Sequence, residues 1–146
     1  VIAYIDSSVL VRSYLVDEAG HDEAVALLDR SDIGLVTGSW GRIEVCGALI
    51  RAARGSRVDG TQLVDLLDQD LGPEGRVVVI AGDQEEVELE ALSLVLTHGI
   101  RAMDAWHLAT AGLVVPTLLE PGEAIGFATR DDEQGYIADL LGFERI

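Results

Sequence analysis

Short apolar runs alternate with longer segments of helical period along this chain. Residues 1–5 form an apolar run that stops at Asp6, and residues 7–15 then read as a helix. A second helix is expected over 22–30, with Ala24, Leu27 and Leu28 on one face, and a second strand over 33–36, bounded by Thr37-Gly38. Residues 40–54 make a strong helix closed by Gly55, with Arg51 and Arg54 near its end, as helix C-termini favour. Another helix spans about 61–70, and Gly72-Pro73 breaks the chain before a strand at 76–80. The long helix at 84–97 turns Val87, Ala91, Leu94 and Val95 inward and Glu85, Glu86, Glu88 and Glu90 mostly outward, until Gly99 stops it.

Residues 103–112 form the next helix, and 113–122, with two of the three prolines, resist assignment. A strand at 124–128, a helix at 133–141 and an edge strand at 143–146 complete the pattern. Strands alternating with helices imply an α/β fold with a mostly parallel sheet covered on both faces. At 146 residues the whole of 1–146 is expected to be one domain with one closed core.

Composition narrows the class. Hydrophobic residues at 49% and charged residues at 25% describe a globular chain rather than a disordered one. No apolar run approaches the roughly 20 residues that span a bilayer. The first ten residues have Asp6 in their middle and no basic lead, unlike a secretory signal, so a cytoplasmic protein is expected. Cys46 is alone, which excludes an intrachain disulfide and a thiolate zinc site. Net charge is −16, and all ten basic residues are Arg. That balance disfavours a broad basic surface for nucleic acid.

Three aspartates hold equivalent local positions. Asp6 and Asp131 each follow a strand and open a helix, and Asp104 opens the helix that follows it. Each is a natural helix cap when taken alone. In an open parallel sheet, however, strand C-termini and the next helix N-termini line one edge, where ligands bind. Glu44 stands one turn into its helix among Ile43, Val45 and Cys46, where an acid is not expected. Carboxylates crowded in one crevice must protonate or bind a cation, and no Lys exists to neutralise them. A hard divalent ion with oxygen ligands, Mg²⁺ or Mn²⁺, suits such a set. It lowers the pKa of bound water and stabilises charge on a phosphoryl oxygen, which is the chemistry of phosphodiester hydrolysis.

The segments AYIDSSVL at 3–10, SWGRIE at 39–44, MDAWHLATA at 103–111 and FATRD at 127–131 resemble, in order, the four acidic motifs of PIN-domain nucleases. The resemblance runs from residue 3 to about 142, with Ala138 and Gly142 where the last helix of that family places small residues. Within the family the chain looks most like VapC-type toxins of toxin–antitoxin pairs. The resemblance implies a PIN-like three-layer fold and a Mg²⁺-dependent ribonuclease, with Mn²⁺ as a possible substitute. Asp6, Glu44, Asp104 and Asp131 then hold one or two metal ions and are the catalytic set. A metal-bound water attacks the RNA phosphate, leaving a 5′-phosphate and a 3′-hydroxyl. Ser7 and Thr129 are expected to hold a water or a carboxylate beside the metal. Asp132 is an alternative to Asp131, though the spacing to Ala138 and Gly142 favours Asp131. Family analogy also implies a homodimer, and an antitoxin whose basic tail enters the acidic site.

The remaining residues are weighed against simpler roles. His107 is expected to pack or hydrogen-bond within its helix, since a hard cation needs no imidazole. Trp40 and Trp106 are read as core or rim packing before base stacking. Arg42 and Arg130 lean towards phosphate contacts, and Arg12 is undecided. Arg51, Arg54 and Arg57 make the one local basic cluster, which a solvated helix C-terminus explains. A receiver domain and a haloacid-dehalogenase-like phosphatase both require a Lys, and Asp6-Ser7-Ser8 lacks the second Asp of the latter. Leu10 breaks an integrin-type metal motif, and the dinucleotide and P-loop glycine patterns are absent. Two alternatives stand beside the ribonuclease reading: a catalytically silent scaffold of the same fold, and a nuclease acting on DNA.

Overall fold

The computed structural model describes residues 1–56 and 58–146, so Arg57 of the basic cluster lies outside the described residues. Among the described residues, five strands, β1 (Ile2–Ile5), β2 (Gly34–Gly38), β3 (Val78–Ile80), β4 (Ile125–Ala128) and β5 (Glu144–Arg145), form one sheet in the order β3-β2-β1-β4-β5. Every pairing is parallel. Among the described residues, seven α-helices cover it: α1 (Ser7–Tyr14), α2 (His21–Leu28), α3 (Ser39–Ala53), α4 (Gly60–Asp70), α5 (Gln84–His98), α6 (Ala102–Val114) and α7 (Asp132–Leu140).

The period-2 alternation of the strands divides the core into two. Tyr4, Val36, Ile80 and Phe127 face Val87 and Leu94 of α5, Leu108 of α6 and Ile137 of α7. Their neighbours Ala3, Ile5, Leu35 and Ala128 face Val9 and Leu10 of α1, Ala24 and Leu28 of α2, Val45 and Leu49 of α3, and Leu67 of α4. The result is the expected three-layer α/β architecture with a parallel sheet between two helical layers. Each fully buried leucine, such as Leu49 or Leu67, contributes about 1.5–3 kcal/mol by removal from water.

Order and direction place the ligand edge. The chain moves from β1 outward through β2 to β3, then crosses back to β4 on the other side of β1. The sheet therefore has its topological switch between β1 and β4, where a crevice opens beyond the strand C-termini. Asp6 leaves β1 at that point, and Thr129 to Asp131 leave β4 beside it.

Two differences from the sequence pattern have plain causes. The segment 113–122, unassigned from sequence, is helical over its first six residues. Helix α6 continues to Val114 and tightens into a 3-10 turn, Val115–Leu118, with Pro116 in its first turn, where a missing N–H costs no hydrogen bond. Along α5, Leu89, Leu92 and Leu96 lie outward beside the glutamates, so the exposed face is less polar than expected. Among the described residues, no helix is long and apolar enough to cross a membrane.

Candidate metal and phosphate site

Above the β1/β4 switch lies a cleft of about 1010 Å³ whose lining includes Asp6, Glu44, Asp104 and Asp131. Four segments distant in sequence thus deliver one carboxylate each to a single space. Asp6 precedes α1 but makes no side-chain cap bond. Its carboxylate instead lies 3.1 Å from the Ser7 hydroxyl, 2.8 Å from Ser8 and 2.9 Å from Thr129. Asp104 is not the cap of α6 either, because Arg101 holds that position and Asp104 lies in the first turn. Only Asp131 acts as a side-chain cap, accepting from the Gln134 amide at 2.9 Å. The capping explanation therefore covers one aspartate of the three.

The carboxylates are engaged by cations and hydroxyls of the chain itself. The Arg101 guanidinium bridges Asp104 (2.8 Å) and Asp131 (2.6 Å) from an exposed position. Glu44 Oε1 lies 2.6 Å from His107 Nε2, and Asp6 Oδ1 lies 3.7 Å from the same nitrogen. Among the described residues, no three His, Cys, Asp or Glu side chains stand together as a closed metal cage. The donor set nevertheless suits a hard cation, since all four acids offer oxygen. The gap between Asp104 and Asp131 already accepts positive charge, that of Arg101.

Burial pushes the Asp104 carboxyl above its ordinary value, Asp6 and Asp131 add to the effect, and Arg101 opposes it without cancelling it.

His107 is fully buried, as the packing reading expected, but its hydrogen bonds lie outside its own helix. Its Nδ1 lies 2.7 Å from Tyr4 Oη, and the Gly38 amide donates to that same oxygen at 3.0 Å. Burial holds the Tyr4 phenol well above its usual pKa, so it keeps its proton. One assignment then satisfies every bond with a neutral imidazole: Tyr4 donates to Nδ1, and Nε2–H donates to Glu44. Gly38 is required here, because a Cβ would come within 2.5 Å of Tyr4 Oη and 2.6 Å of the Trp106 ring.

Gln134 joins the other side of the site. It is fully buried, its Oε1 lies 2.6 Å from the Thr129 hydroxyl, and its Nε2 donates to the Asp104 carbonyl at 3.3 Å. The single Thr129 proton serves Asp6 or Gln134, one at a time. Asp131-x-x-Gln134 has capping-box spacing, a signal available in the sequence. Arg101 was visible as an (i, i+3) partner of Asp104. Ser8 had no signal beyond lying next to Ser7.

Of the arginines expected at phosphate, Arg130 lines the cleft. Arg42 does not, and both arms of its guanidinium are held by Asp68 at 2.9 and 3.0 Å. Arg12 and Arg51 line the cleft as well, so Arg51 belongs to the site rather than only to a solvated helix end. Among the described residues, Arg30, Arg42, Arg76, Arg101 and Arg145 pair with carboxylates, whereas Arg12, Arg51, Arg54 and Arg130 do not. Three of those four unpaired cations rim the cleft. Asp132 is exposed and does not line it, whereas Asp131 does.

An all-parallel α/β sheet with acids at its switch point and free arginines above them defines a candidate phosphate-processing site on a PIN-like fold. The PIN domain family model matches residues 3–138, and the chain belongs to that family. Two solved structures share the fold. VapBC-1 from nontypeable Haemophilus influenzae aligns with a TM-score of 0.59 at 15% identity, covering 100% of this chain and 97% of that one. FitAcB from Neisseria gonorrhoeae aligns with a TM-score of 0.57 at 19% identity, covering 99% and 96%. No curated protein sequence matches the chain.

Proposed function

We propose that residues 1–146 act as one nuclease domain that hydrolyses RNA phosphodiester bonds with Mg²⁺, as the toxin of a VapBC-type toxin–antitoxin pair. One observation carries this reading: four carboxylates from separate segments converge on one cleft whose rim holds three unpaired arginines. Membership of the PIN family and the likeness to VapBC-1 and FitAcB support it.

Asp6, Glu44, Asp104 and Asp131 would hold the metal, with Mn²⁺ as a substitute. The ion supplies a lowered pKa for water and charge stabilisation at the phosphoryl oxygen. The chain's own groups do the rest. Ser7, Ser8 and Thr129 orient Asp6, His107 orients Glu44, and Gln134 ties the start of α6 to Thr129 ahead of α7. Arg12, Arg51 and Arg130 bind phosphates flanking the scissile one, and the exposed Arg101, beside Asp104 and Asp131, is placed to bind phosphate as well. With net charge −16, these local arginines and the metal must replace long-range attraction.

The same acidic floor suits the basic tail of an antitoxin, with an arginine competing for the place that Arg101 holds between Asp104 and Asp131. A homodimer in the cytoplasm completes the reading.

The test is cleavage of total RNA by the purified protein with Mg²⁺ or Mn²⁺, with EDTA, and by Asp104→Asn purified in parallel. Fragments that disappear with EDTA and with the mutation are expected. Cleavage that survives both means a contaminating nuclease. No cleavage together with no Mn²⁺ binding establishes the silent scaffold, and cleavage of single-stranded DNA but not RNA changes the substrate.

A further inference from the structure

Trp40 belongs to two cavities. It lines the acidic cleft, and it also lines a smaller pocket of about 190 Å³ with Ser39, Gln84 and Trp106. This second pocket also includes Ala81 and Gly82, just past the end of β3, so it sits one strand further along the same sheet edge. Trp40 is 53% exposed, so the described residues leave about half of a large apolar ring uncovered.

The two indoles lie with centroids 6.2 Å apart and planes tilted by 47°. That geometry leaves no room for a flat ring between them. It builds an angled aromatic wall, on either face of which a ring can stack from the open side. The pocket's polar groups are few and partly free. Gln84 uses one Nε2 hydrogen on Glu88 at 2.8 Å, which leaves its Oε1 acceptor and its second N–H, and Ser39 offers a hydroxyl.

Resting on the ribonuclease reading, we infer that this pocket is a nucleobase subsite. An unpaired base next to the scissile phosphate stacks on the Trp40/Trp106 wall, and its edge faces Gln84 and Ser39. The shared wall is the reason for choosing RNA over a peptide side chain. A strand whose phosphate lies over Asp6 and Asp104 has only to pass Trp40 to place its neighbouring base in the pocket. Stacking on an aromatic tolerates any base, and Gln84, with an acceptor and a donor both uncommitted, can meet either kind of base edge.

Trp40 and Trp106 are the only tryptophans in the chain, and Trp106 lines the pocket but not the cleft, so emission from the Trp40→Phe variant, which carries Trp106 alone, reports on the pocket. The experiment titrates the protein in Ca²⁺ with dye-labelled single-stranded oligoribonucleotides of A, C, G or U. Dye anisotropy and tryptophan emission are read together. Expected are quenching that follows the anisotropy, binding about tenfold weaker in Trp40→Ala, and recovery in Trp40→Phe. Thermal melts confirm that both variants fold. Binding without quenching, or Trp40→Ala binding like the wild type, overturns the subsite while Mg²⁺-dependent cleavage by the same preparation keeps the nuclease reading. Absence of binding also overturns it, and absence of cleavage besides removes the parent reading. Quenching by a basic peptide but not by RNA reassigns the pocket to a protein partner and overturns the inference.

Discussion

His107 Nε2 lies 2.6 Å from Glu44 Oε1, joining two acidic motifs 63 residues apart through a fully buried imidazole. The same ring is fixed from behind by the Tyr4 hydroxyl, which is fixed in turn by the Gly38 amide. Glu44 is thus held by a chain of three hydrogen bonds that reaches back into the sheet. His107→Leu leaves the Tyr4 hydroxyl and the Glu44 carboxylate without their partner. Urea denaturation should show a loss of about 1–3 kcal/mol, and calorimetric titration a roughly 10- to 100-fold weaker Mn²⁺ affinity. Unchanged affinity in a destabilised variant would mean that the chain serves the fold alone.

The unpaired arginines make a separable prediction. Replacing Arg51 or Arg130 by Gln removes a cation from the cleft rim without breaking an ion pair. RNA binding should weaken, and the slope of log affinity against log salt should fall by about 0.7 for each arginine that touches a phosphate. Arg30→Gln, which cuts only the exposed pair with Asp32, should leave both quantities alone. Equal effects at Arg30 and Arg51 would show that net charge matters and the rim does not.

The elements were legible because strand and helix periods differ and because glycines mark the stops. Gly55 and Gly99 have φ of +76° and +69°, as residues beyond a helix end require. The acids were legible for a related reason. Three follow strand ends or open helices, and a parallel sheet gathers such positions on one edge. Of their counter-charges only Arg101, three residues before Asp104, was legible. Arg101 reaches Asp131 across 30 residues and His107 reaches Glu44 across 63, and no local pattern encodes such pairings. The same blindness misplaced Arg42, whose nearness in sequence to Glu44 says nothing of Asp68 on the adjacent helix. The segment 113–122 failed for the opposite reason: its prolines looked like breakers, while Pro116 sits where a 3-10 turn tolerates it.

Two glycine substitutions separate backbone strain from damage to the site. An alanine at Gly38 pushes into Tyr4 Oη and the Trp106 ring, and should cost about 1–3 kcal/mol. It should also lower activity, because Tyr4 positions His107. An alanine at Gly55 meets nothing within 4 Å and carries only the left-handed backbone penalty, about 1–2 kcal/mol. Denaturation curves compared with cleavage rates are the check. Full activity in a folded Gly38→Ala protein would detach the Tyr4–His107 chain from function.

Asp104 should show a stability–activity trade-off. Burial and the neighbouring Asp6 and Asp131 carboxylates hold its pKa above the ordinary value despite Arg101. A folded-state value above the unfolded one means that the native protein binds this proton more readily. Its contribution to stability is complete below the unfolded pKa and is lost as pH rises through the folded pKa. At neutral pH the ionised group is therefore a net cost to the metal-free fold. Asp104→Asn removes that cost, so in EDTA at pH 7 its urea midpoint should match or exceed the wild type, and the difference should shrink as the pH falls below about 4. Cleavage with Mg²⁺ should meanwhile drop more than about a hundredfold, beyond the loss typical of a residue that only supports a ligand. A midpoint below wild type at pH 7 would show that the Arg101 bridge outweighs the burial, making Asp104 a structural residue first.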